Sequence, residues 1–404
     1  MRIVILTQYY PPEIGAPQRR LSGIAERFVA HGHETIVLTA MPSYPKGKVY
    51  PGYGGLLQRE ERNGVQVIHT AIYPTQKANL LPRLMNYFSF VVSSSIFGCL
   101  LLKKPDVLIV ESPPLFLGLA GFWLALVKRT RVVFNVSDLW PESAASLGVV
   151  SRDSLQFRMS LWLEGFFYRK SWLVAGQAKS ILSDIQARYP EVPTYLLSNG
   201  VDTSKYGTSL RTPEIRAQMG DEVECVALYA GLHGLAQGLN QVLEVAQRIL
   251  PDGGCRFVLI GDGPCKRSLQ EKAAKLQLSN TTFLESLPAK AMPEYVASAD
   301  IILVTLANYI KGAVPSKLYE AMASSRPVLL VAEGEAADIV RTYNAGMVVK
   351  PGDLDGMTQA IRYLRDNPQA RQEMGGNGRR AAEEHFDSVS TANQFVSYLE
   401  GHIC

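Results

Sequence analysis

The chain has 404 residues, 47% of them hydrophobic and 19% charged, a composition that excludes a disordered protein and allows two or three globular domains. Its formal net charge of +4 is unevenly distributed: residues 1–200 hold 21 Lys/Arg and 13 Asp/Glu, net +8, and the remainder holds 20 and 24, net −4. The first half is therefore the part expected to meet an anionic surface, unless the excess is a chance property of the surface. No dense basic run accompanies it, and no nucleic-acid partner is predicted.

The start of the chain and its cysteines both predict a cytoplasmic protein. MRIVILTQYY is an apolar strand followed by polar and proline residues, without the long apolar region and cleavage site of a secretory signal. The five cysteines are scattered, form no CxxC pair and indicate reduced thiols. They are Cys99, Cys225, Cys255, Cys265 and Cys404.

The first half alternates strands and helices. RIVILTQ predicts a strand, residues 17–30 a helix with apolar residues at helical spacing, and ETIVLTA the next strand. QREERNGVQVIHTAIYP is typical of a hairpin that turns at Asn63 and Gly64. DVLIVES, RVVFNVS, SWLVAG and PTYLLSN are further buried strands, separated by helices at 84–102, 114–128, 152–170 and 178–189. This succession predicts a parallel sheet covered on both faces.

The helix predicted at 84–102 has 19 residues without a charge, flanked by Lys77 and Arg83 before it and by Lys103 and Lys104 after it. Its length is borderline for a membrane span, and Asn86 and four serines weaken that interpretation. A buried or interfacial helix whose basic flanks lie near lipid headgroups is favoured, and a transmembrane span is the alternative.

A second series of strands follows the polar segment 199–214. CVALYAG, CRFVLIG, NTTFLES, ADIILVT, PVLLVAE and AGMVVKP are its strands, and residues 353–366, 368–385 and 387–402 are three closing helices. The fold class is therefore α/β, with two doubly wound, Rossmann-like domains. We assign residues 1–196 with 387–404 to the first and 197–386 to the second, the last helix crossing back to the first domain. Ligands of such sheets bind beyond the carboxyl ends of the strands, which predicts a cleft between the two domains.

The stretch from Ala313 to Val331 carries the clearest binding pattern. Pro315 and Ser316 are placed as the first residue and the hydroxyl cap of a helix, whose free N–H groups form an anion site. Glu320, one turn in, can accept paired hydrogen bonds from a ribose diol. Phosphate and ribose together describe a nucleotide. The alternative is an ordinary helix with a solvated glutamate.

Six segments together resemble glycosyltransferase family 4, a group of sugar-nucleotide-dependent enzymes with the GT-B fold. The segments are PPEIGAPQRR (11–20), VSDLWPES (136–143), SNGVD (198–202), YAGLHGLAQGL (229–239), GDGP (261–264) and PSKLYEAMASSRPV (315–328). The DLWPES and VPSKLYE variants resemble the branch that contains N-acetyl-L-fucosaminyl transferases of bacterial O-antigen and capsule synthesis.

By this resemblance, Glu320 matches the second glutamate of the family signature and binds the ribose. The first glutamate falls at Gly312, so the group that usually contacts the donor sugar is missing. The Arg and Lys that the family supplies to the diphosphate are also missing, since Leu232 or His233 and then Gln237 stand there. We hypothesise that Lys317, with the amides of Ser316 and Lys317, supplies this positive charge. A solvated helix charge is the alternative.

The remaining donor contacts implied by the resemblance lie in the second domain. They are Gly231, His233, Gln237, Gly261, Asp262, Gly263, Pro315 and Leu318.

Acceptor binding is assigned to the first domain. Asp138, which we assign with Lys317 and Glu320 as a catalytic residue, stands where many family members have a His-Asp pair near the acceptor and the donor sugar. Trp140 offers an apolar face for a sugar. An Asx-turn or a helix cap is the alternative for Asp138. Secondary candidates are Glu142, the small residues Gly15 and Ala16, and Arg19 and Arg20, of which at most one is expected to reach the cleft.

No metal site is predicted. Asp353 and Asp355 have DxD spacing, but they open a late helix where Asp commonly caps. The resemblance to the family implies a retaining transferase at the cytoplasmic face of the inner membrane. We expect it to move a sugar from a nucleotide sugar, with UDP as the expected nucleotide, to a polyprenyl-diphosphate-linked acceptor without a metal ion. A non-hydrolysing UDP-sugar epimerase and a non-catalytic sugar-nucleotide-binding protein are the alternatives.

Overall fold

The computed structural model describes residues 1–76, 80–146, 148, 150–220, 225–309 and 311–403. The chain divides into two compact units. Unit 1 comprises Met1–Asn199 with Ser388–Cys404, and unit 2 comprises Gly200–Asp387. The boundaries assigned from the sequence, 196/197 and 386/387, lie three residues and one residue away from these.

Unit 1 is built on an eight-stranded sheet with the order β3-β4-β2-β1-β5-β6-β7-β8. Its strands are β1 Arg2–Leu6, β2 Glu34–Ala40, β3 Leu57–Arg62, β4 Val65–Thr70, β5 Val107–Ser112, β6 Arg131–Val136, β7 Leu173–Gly176 and β8 Thr194–Leu196. Apart from the antiparallel β3/β4 pair, neighbouring strands are parallel. The chain order reverses between β1 and β5, the point at which an open sheet of this kind binds ligands.

The antiparallel pair confirms the predicted hairpin. Arg62 pairs with Val65, which leaves Asn63 and Gly64 as the two-residue turn. Their φ angles are 52° and 78°, and positive φ at both positions is the requirement of a type I′ turn, for which Asn-Gly is the preferred sequence.

Helices cover both faces of this sheet. They are α1 Ala16–Ala30, α2 Leu80–Leu101, α3 Leu117–Lys128, α4 Glu142–Ser146, α5 Leu155–Lys170, α6 Lys179–Arg188 and, from the end of the chain, α15 Ser388–Ile403. The last of these returns to unit 1 as predicted. Its Phe395 is fully buried, with its ring 6.2 Å from that of Phe28 on α1 and 5.2 Å from that of Tyr195 on β8.

One side of α2 packs on the sheet and the other is exposed. Phe90 and Ser94 are fully buried, and Gly98 lies against Leu124 of α3. The region Leu81–Leu101 is long and apolar enough to cross a membrane, and 22% of its 18-residue apolar window is buried in the protein. Neighbouring helices α3 and α5 also expose large apolar side chains. We call the following residues the apolar face: Leu81, Met85, Phe88, Val92, Ile96, Leu100, Leu119, Trp123, Leu126, Val127, Leu155, Met159 and Trp162.

Unit 2 has a fully parallel six-stranded sheet with the order β11-β10-β9-β12-β13-β14. Its strands are β9 Cys225–Ala230, β10 Cys255–Ile260, β11 Thr281–Leu284, β12 Ile301–Thr305, β13 Val328–Val331 and β14 Gly346–Val349. Its helices are α7 Pro213–Met219, α8 Asn240–Ile249, α9 Lys266–Lys275, α10 Met292–Ser298, α11 Ser316–Ala323, α12 Glu335–Thr342, α13 Leu354–Asp366 and α14 Pro368–His385.

Buried apolar clusters line both faces of the unit 2 sheet, which explains why its strands are continuous apolar runs. The strand order reverses between β9 and β12. The loops that leave the carboxyl ends of these two strands are therefore where the fold itself predicts a ligand.

Candidate active site

Lys317, on the helix that follows β12, contacts the loop that follows β9 in unit 2. Its side chain lies over Gly231, the residue that follows β9, so closely that a Cβ there would overlap Lys317 Cε and lie 2.6 Å from Nζ. The ammonium group also stands 5.7 Å from the ring centroid of Tyr229, within the range of a cation–π contact. A fixed positive charge is therefore held at the carboxyl end of β9.

The loop after β10 packs directly on the same backbone. Gly231 N–H donates to Ile260 O at 2.8 Å, and His233 N–H donates to Asp262 O at 2.8 Å. A Cβ on Gly261 would overlap Gly231 O, and one on Gly263 would lie 2.6 Å from His233 O. Both glycines are thus needed for close backbone approach, and the exposed Asp262 carboxylate accepts from Gly263 N–H at 2.8 Å.

Helix α11 begins one residue later than the sequence pattern indicated. Pro315, expected at the first helical position, is the N-cap with φ −62° and ψ 132°, and Ser316, expected as the hydroxyl cap, is the first helical residue. Among the described residues no side chain caps this end, and Ser316 does not satisfy the terminal amides. The first N–H groups of a helix have no partner within it, which leaves them available to an anion.

Helix α11 is packed on the core of unit 2 through buried side chains, which fixes the positions of its partly exposed residues. Leu318 is fully buried and Tyr319 is 2% exposed, and both belong to the core beneath the helix. Leu318 therefore supports the site from below. Glu320 is partly exposed on the following position of the same helix.

His233 does not provide the cation that the family pattern led us to seek near the diphosphate. Its imidazole is completely buried, 5.9 Å from the ring of Tyr229 and 6.3 Å from that of Phe283. Burial, together with nearby Lys266, lowers the pKa of His233, so the ring is neutral at pH 7. The neighbouring Leu232 is the residue that is exposed.

Two further positions explain where this chain departs from the family pattern. Gly312 has a φ of 80°, a left-handed conformation in which a glutamate would be strained. Gln237 closes a short 3₁₀ turn, and its carbonyl accepts from Thr305 Oγ1 of β12 at 2.7 Å. Its Oε1 is buried without a hydrogen-bond partner among the described residues.

Unit 1 contains a buried polar cluster at the β1/β5 reversal that the sequence analysis missed. Glu111, on β5 and 3% exposed, accepts from Arg20 Nη2 at 2.5 Å and from Asn135 Nδ2 at 2.5 Å, and it also contacts the Ser137 hydroxyl. Arg20 Nη2 donates to Ser137 Oγ at 2.7 Å as well. A carboxylate at the end of an otherwise apolar strand was the available signal.

The loop that leads into α1 has the expected small residues. Gly15 is the N-cap of α1 and Ala16 its first residue, exposed to solvent. A Cβ on Gly15 would overlap the Gln18 side chain. Of the two arginines, Arg20 turns inward to Glu111 and Arg19 is exposed, in keeping with their different directions on the helix.

Asp138 follows β6 and is largely enclosed. Burial raises the pKa of Asp138, and hydrogen bonds from the Ser143 side chain and the Leu139 backbone partly oppose this. These bonds are those of a turn before α4, which was the alternative interpretation. Trp140 packs edge-on against Phe116, with 5.7 Å between centroids. Glu142 pairs at 3.0 Å with Arg152 on the surface, so its carboxylate already has a partner.

The DxD segment has structural roles. Asp353 caps α13 by accepting from Gly356 N–H at 2.8 Å, and Asp355 contacts Arg248. Within the described part of the chain, no three His, Cys, Asp or Glu side chains are grouped as they would be to hold a metal ion.

Family models identify both halves of the chain. Residues 15–200 match the glycosyl transferase 4-like domain, and residues 212–381 match glycosyl transferases group 1. The chain is a glycosyltransferase. Along 99% of its length and the whole of the relative, it is 25% identical to WcaI of Escherichia coli, a candidate colanic acid biosynthesis glycosyl transferase.

Solved structures agree with the two-sheet architecture. Sucrose-phosphate synthase from Thermosynechococcus elongatus superimposes with a TM-score of 0.78 at 16% identity, covering 99% of this chain and 98% of that one. HepE from Anabaena, determined in complex with UDP-glucose, gives 0.74 at 17% identity over 99% and 100%. These likenesses confirm the two-domain GT-B fold of the chain.

Proposed function

We propose that this glycosyltransferase moves a sugar from a UDP-sugar to a polyprenyl-diphosphate-linked acceptor during surface polysaccharide synthesis. The observation that carries the proposal is the position of Lys317. Its ammonium group lies at the start of α11 and over Gly231, where the β9 and β12 loops meet. A helix N-terminus and a fixed cation at the strand reversal are suited to a diphosphate.

The main requirement of the reaction is positive charge close to the diphosphate, because negative charge develops there as the donor bond breaks. As the bond between the anomeric carbon and the β-phosphate oxygen breaks, the electron pair remains on the departing UDP. The acceptor hydroxyl forms the new bond to the anomeric carbon and gives its proton to the departing diphosphate. Lys317 and the α11 amides stabilise the departing diphosphate, and Glu320 holds the ribose. They make the reaction independent of a metal ion, so EDTA should leave the rate unchanged.

The identity of the donor rests on the relatives. HepE was solved with UDP-glucose, which favours a uridine nucleotide here. The resemblance to N-acetyl-L-fucosaminyl transferases favours an N-acetylated 6-deoxyhexose and, with the family as a whole, retention of the anomeric configuration. The colanic acid description of WcaI supports a role in surface polysaccharide synthesis.

The acceptor side belongs to unit 1. We assign a sugar hydroxyl to Asp138 and a sugar face to Trp140, both of which follow β6. Arg20 is the basic side chain for the lipid-linked diphosphate, because its Nε and Nη1 are buried without a hydrogen-bond partner among the described residues. Glu111 orients this guanidinium.

Membrane association is proposed from the apolar face. α2 packs on the sheet through Phe90 and Gly98 while six large apolar residues along its other side are exposed, which favours a helix lying in the interface over one that spans the bilayer. Exposed Arg83, Lys103 and Lys104 at its ends suit anionic headgroups. The enzyme would thus work on the cytoplasmic leaflet that holds its lipid-linked acceptor.

The test is an assay of purified enzyme with UDP-sugars, with and without a polyprenyl-diphosphate-linked sugar, followed by mass spectrometry of lipid and nucleotide products. Transfer supports the proposal, isomerisation of the UDP-sugar would indicate an epimerase, and neither would indicate a binding protein. With transfer established, Lys317→Ala should lower kcat by about 100-fold or more, as for other charge-stabilising groups.

Lys290→Ala is the matched control, since Lys290 is exposed on a surface turn of the same unit. Its kcat should remain that of the wild type. Normal donor turnover by Lys317→Ala would contradict the role assigned to this ammonium group.

A further inference from the structure

A pocket in unit 2 lies at the opposite end of the sheet strands from Lys317. Its volume is about 510 Å³, and Asp300 and Pro327 in its wall immediately precede strands β12 and β13. It therefore lies at the amino ends of these strands, whereas the candidate donor site lies at their carboxyl ends. Its size is within the range of pockets that hold small molecules.

Cations dominate the lining of this pocket. Arg211, Arg326 and Arg371 contribute to it, and Asp300 is the one carboxylate among its described lining residues. That carboxylate is already engaged, because its Oδ2 accepts from Arg216 Nη1 at 2.5 Å and from the Val226 N–H at 2.8 Å. Arg211 lies 3.6 Å from the other oxygen. The Asp300 carboxylate is thus already paired with Arg216 and Arg211, while Arg326 and Arg371 also line the pocket.

Arg326 is the most enclosed of the pocket cations. Its Nη2 donates to Ala297 O, and its buried Nε has no hydrogen-bond partner among the described residues. Burial, reinforced by Arg211 and further arginines, lowers the pKa of Arg326 to about 10. The lowered pKa of this guanidinium shows that its positive charge is destabilised by burial and by neighbouring cations. A bound anion would reduce this cost.

Arg371 is held in place by the end of α13. Its Nη1 donates to Arg365 O at 2.7 Å and also contacts Leu364 O, both at the carboxyl end of that helix. Thr208, Ser325 and Gln372 add neutral polar side chains to the same wall. The pocket therefore combines a fixed arginine, an enclosed arginine and a partly exposed one with groups that can bind hydroxyls.

We propose that this pocket is a second anion site, which binds a phosphorylated small molecule through Arg211, Arg326 and Arg371. Guanidinium groups present planar forks that match phosphate oxygens, and several of them around one cavity select a doubly charged phosphate group over a single carboxylate. The site is separate from the donor site and does not depend on the identity of the transferred sugar.

Thermal unfolding at constant ionic strength tests the proposal, with chloride replaced by inorganic phosphate or by glucose 6-phosphate as probes. Binding to the native state raises Tm with the logarithm of ligand concentration. Arg211→Gln is the informative variant, because the Arg211 side chain is 43% exposed and its ion pair with Asp300 is long, at 3.6 Å. Its Tm without phosphate should remain close to that of the wild type, and its phosphate-dependent increase should be mostly lost.

Arg341→Gln is the matched control, since Arg341 lies on α12 with its side chain 60% exposed. It should keep the full phosphate response. UDP, the probe of the other site, should raise the Tm of all three proteins equally.

Two results would overturn the proposal. One is an equal response to both phosphate probes in Arg211→Gln and in the wild type, which would place the anion elsewhere, including at the donor site. The other is the absence of any response in the wild type, as expected if a carboxylate of the chain itself balances these arginines.

Discussion

At the scale of single residues, Asp138 stands in an environment that is unfavourable to its charge. Burial raises its pKa against the effect of two hydrogen bonds, so an ionised carboxylate here lowers the stability of the native protein. Such a cost is common where a charged group has a chemical task. A sugar hydroxyl would offer this carboxylate the additional donor that its environment lacks.

This environment predicts opposite effects of Asp138→Asn on stability and on activity. The native pKa lies above the unfolded value of about 3.9, so the native state binds more protons and the penalty is fully present at pH values above the native pKa. At pH 8 the variant should therefore have the higher Tm, and the difference should shrink as the pH falls through the native pKa towards about 4. Meanwhile kcat should fall by about 10-fold or more, as expected for a lost charged hydrogen bond.

Asp153→Asn serves as the comparison, because Asp153 is exposed in the turn before α5. Asp153→Asn should change neither Tm nor kcat. Thermal unfolding between pH 4 and 8 measures the first effect and steady-state kinetics the second. An Asp138→Asn protein that is less stable than the wild type at pH 8 would show that the carboxylate is a structural cap instead.

The positions of individual site residues were predictable from the sequence only where strand order fixes them, without any contribution from the direction of a side chain. Gly231 and Gly261 follow strands, and their closeness to other backbone is a consequence of strand order. The burial of His233 was not predictable, since a polar residue in a loop gives no sign of which way its ring points. Glu111 was missed for a related reason: its partner Arg20 is 91 residues away, and local pattern carries no information about such a pairing.

At the scale of elements, the strands were predictable because both faces of a parallel sheet are buried, so each strand is a short apolar run. The chain order of strands and helices in both sheets agrees with the sequence analysis. The short helix α4 was missed because five residues are too few for a helical period to be visible. The start of α11 was misplaced by one residue because Pro suits both the N-cap and the first turn.

The exposed side of α2 leads to the prediction at this scale. If the apolar face lies in a membrane interface, replacing Phe88, Val92 and Ile96 together by glutamate should strongly reduce binding to vesicles that contain anionic lipid. Each of these side chains is at least 39% exposed, so the change should leave Tm nearly unaltered. Sedimentation with vesicles of phosphatidylcholine and phosphatidylglycerol measures the bound fraction.

Tyr363→Glu provides the control for this experiment, since Tyr363 is a similarly exposed apolar residue on α13 of unit 2. It should bind vesicles as the wild type does. Vesicle binding by the triple variant equal to that of the wild type, or no vesicle binding by the wild type, would contradict a membrane role for α2. A dimer that dissociates in the triple variant would assign the apolar face to a second copy of the chain.

At the scale of the whole molecule, the chain leaves unit 1 after Asn199 and returns to it after Asp387. The last helix therefore completes a core that was begun by the first strand and helix. Its buried side chains Phe395, Val396 and Leu399 belong to the same cluster as Ile3 and Phe28. Unit 1 consequently depends on residues that are synthesised after the whole of unit 2.

Phe395→Ala should destabilise unit 1 and spare unit 2. Removing a fully buried phenylalanine from a core costs about 3–5 kcal/mol, and the ring of Phe395 contacts those of both Phe28 and Tyr195. Hydrogen exchange measured by mass spectrometry should show faster exchange in β1 and α1, with unchanged exchange in β9 and β12. Gln394→Ala, exposed on the same helix, should exchange like the wild type. If exchange accelerated equally in both sheets, the two units would unfold together, and unit 2 would owe its stability to the C-terminal helix as well.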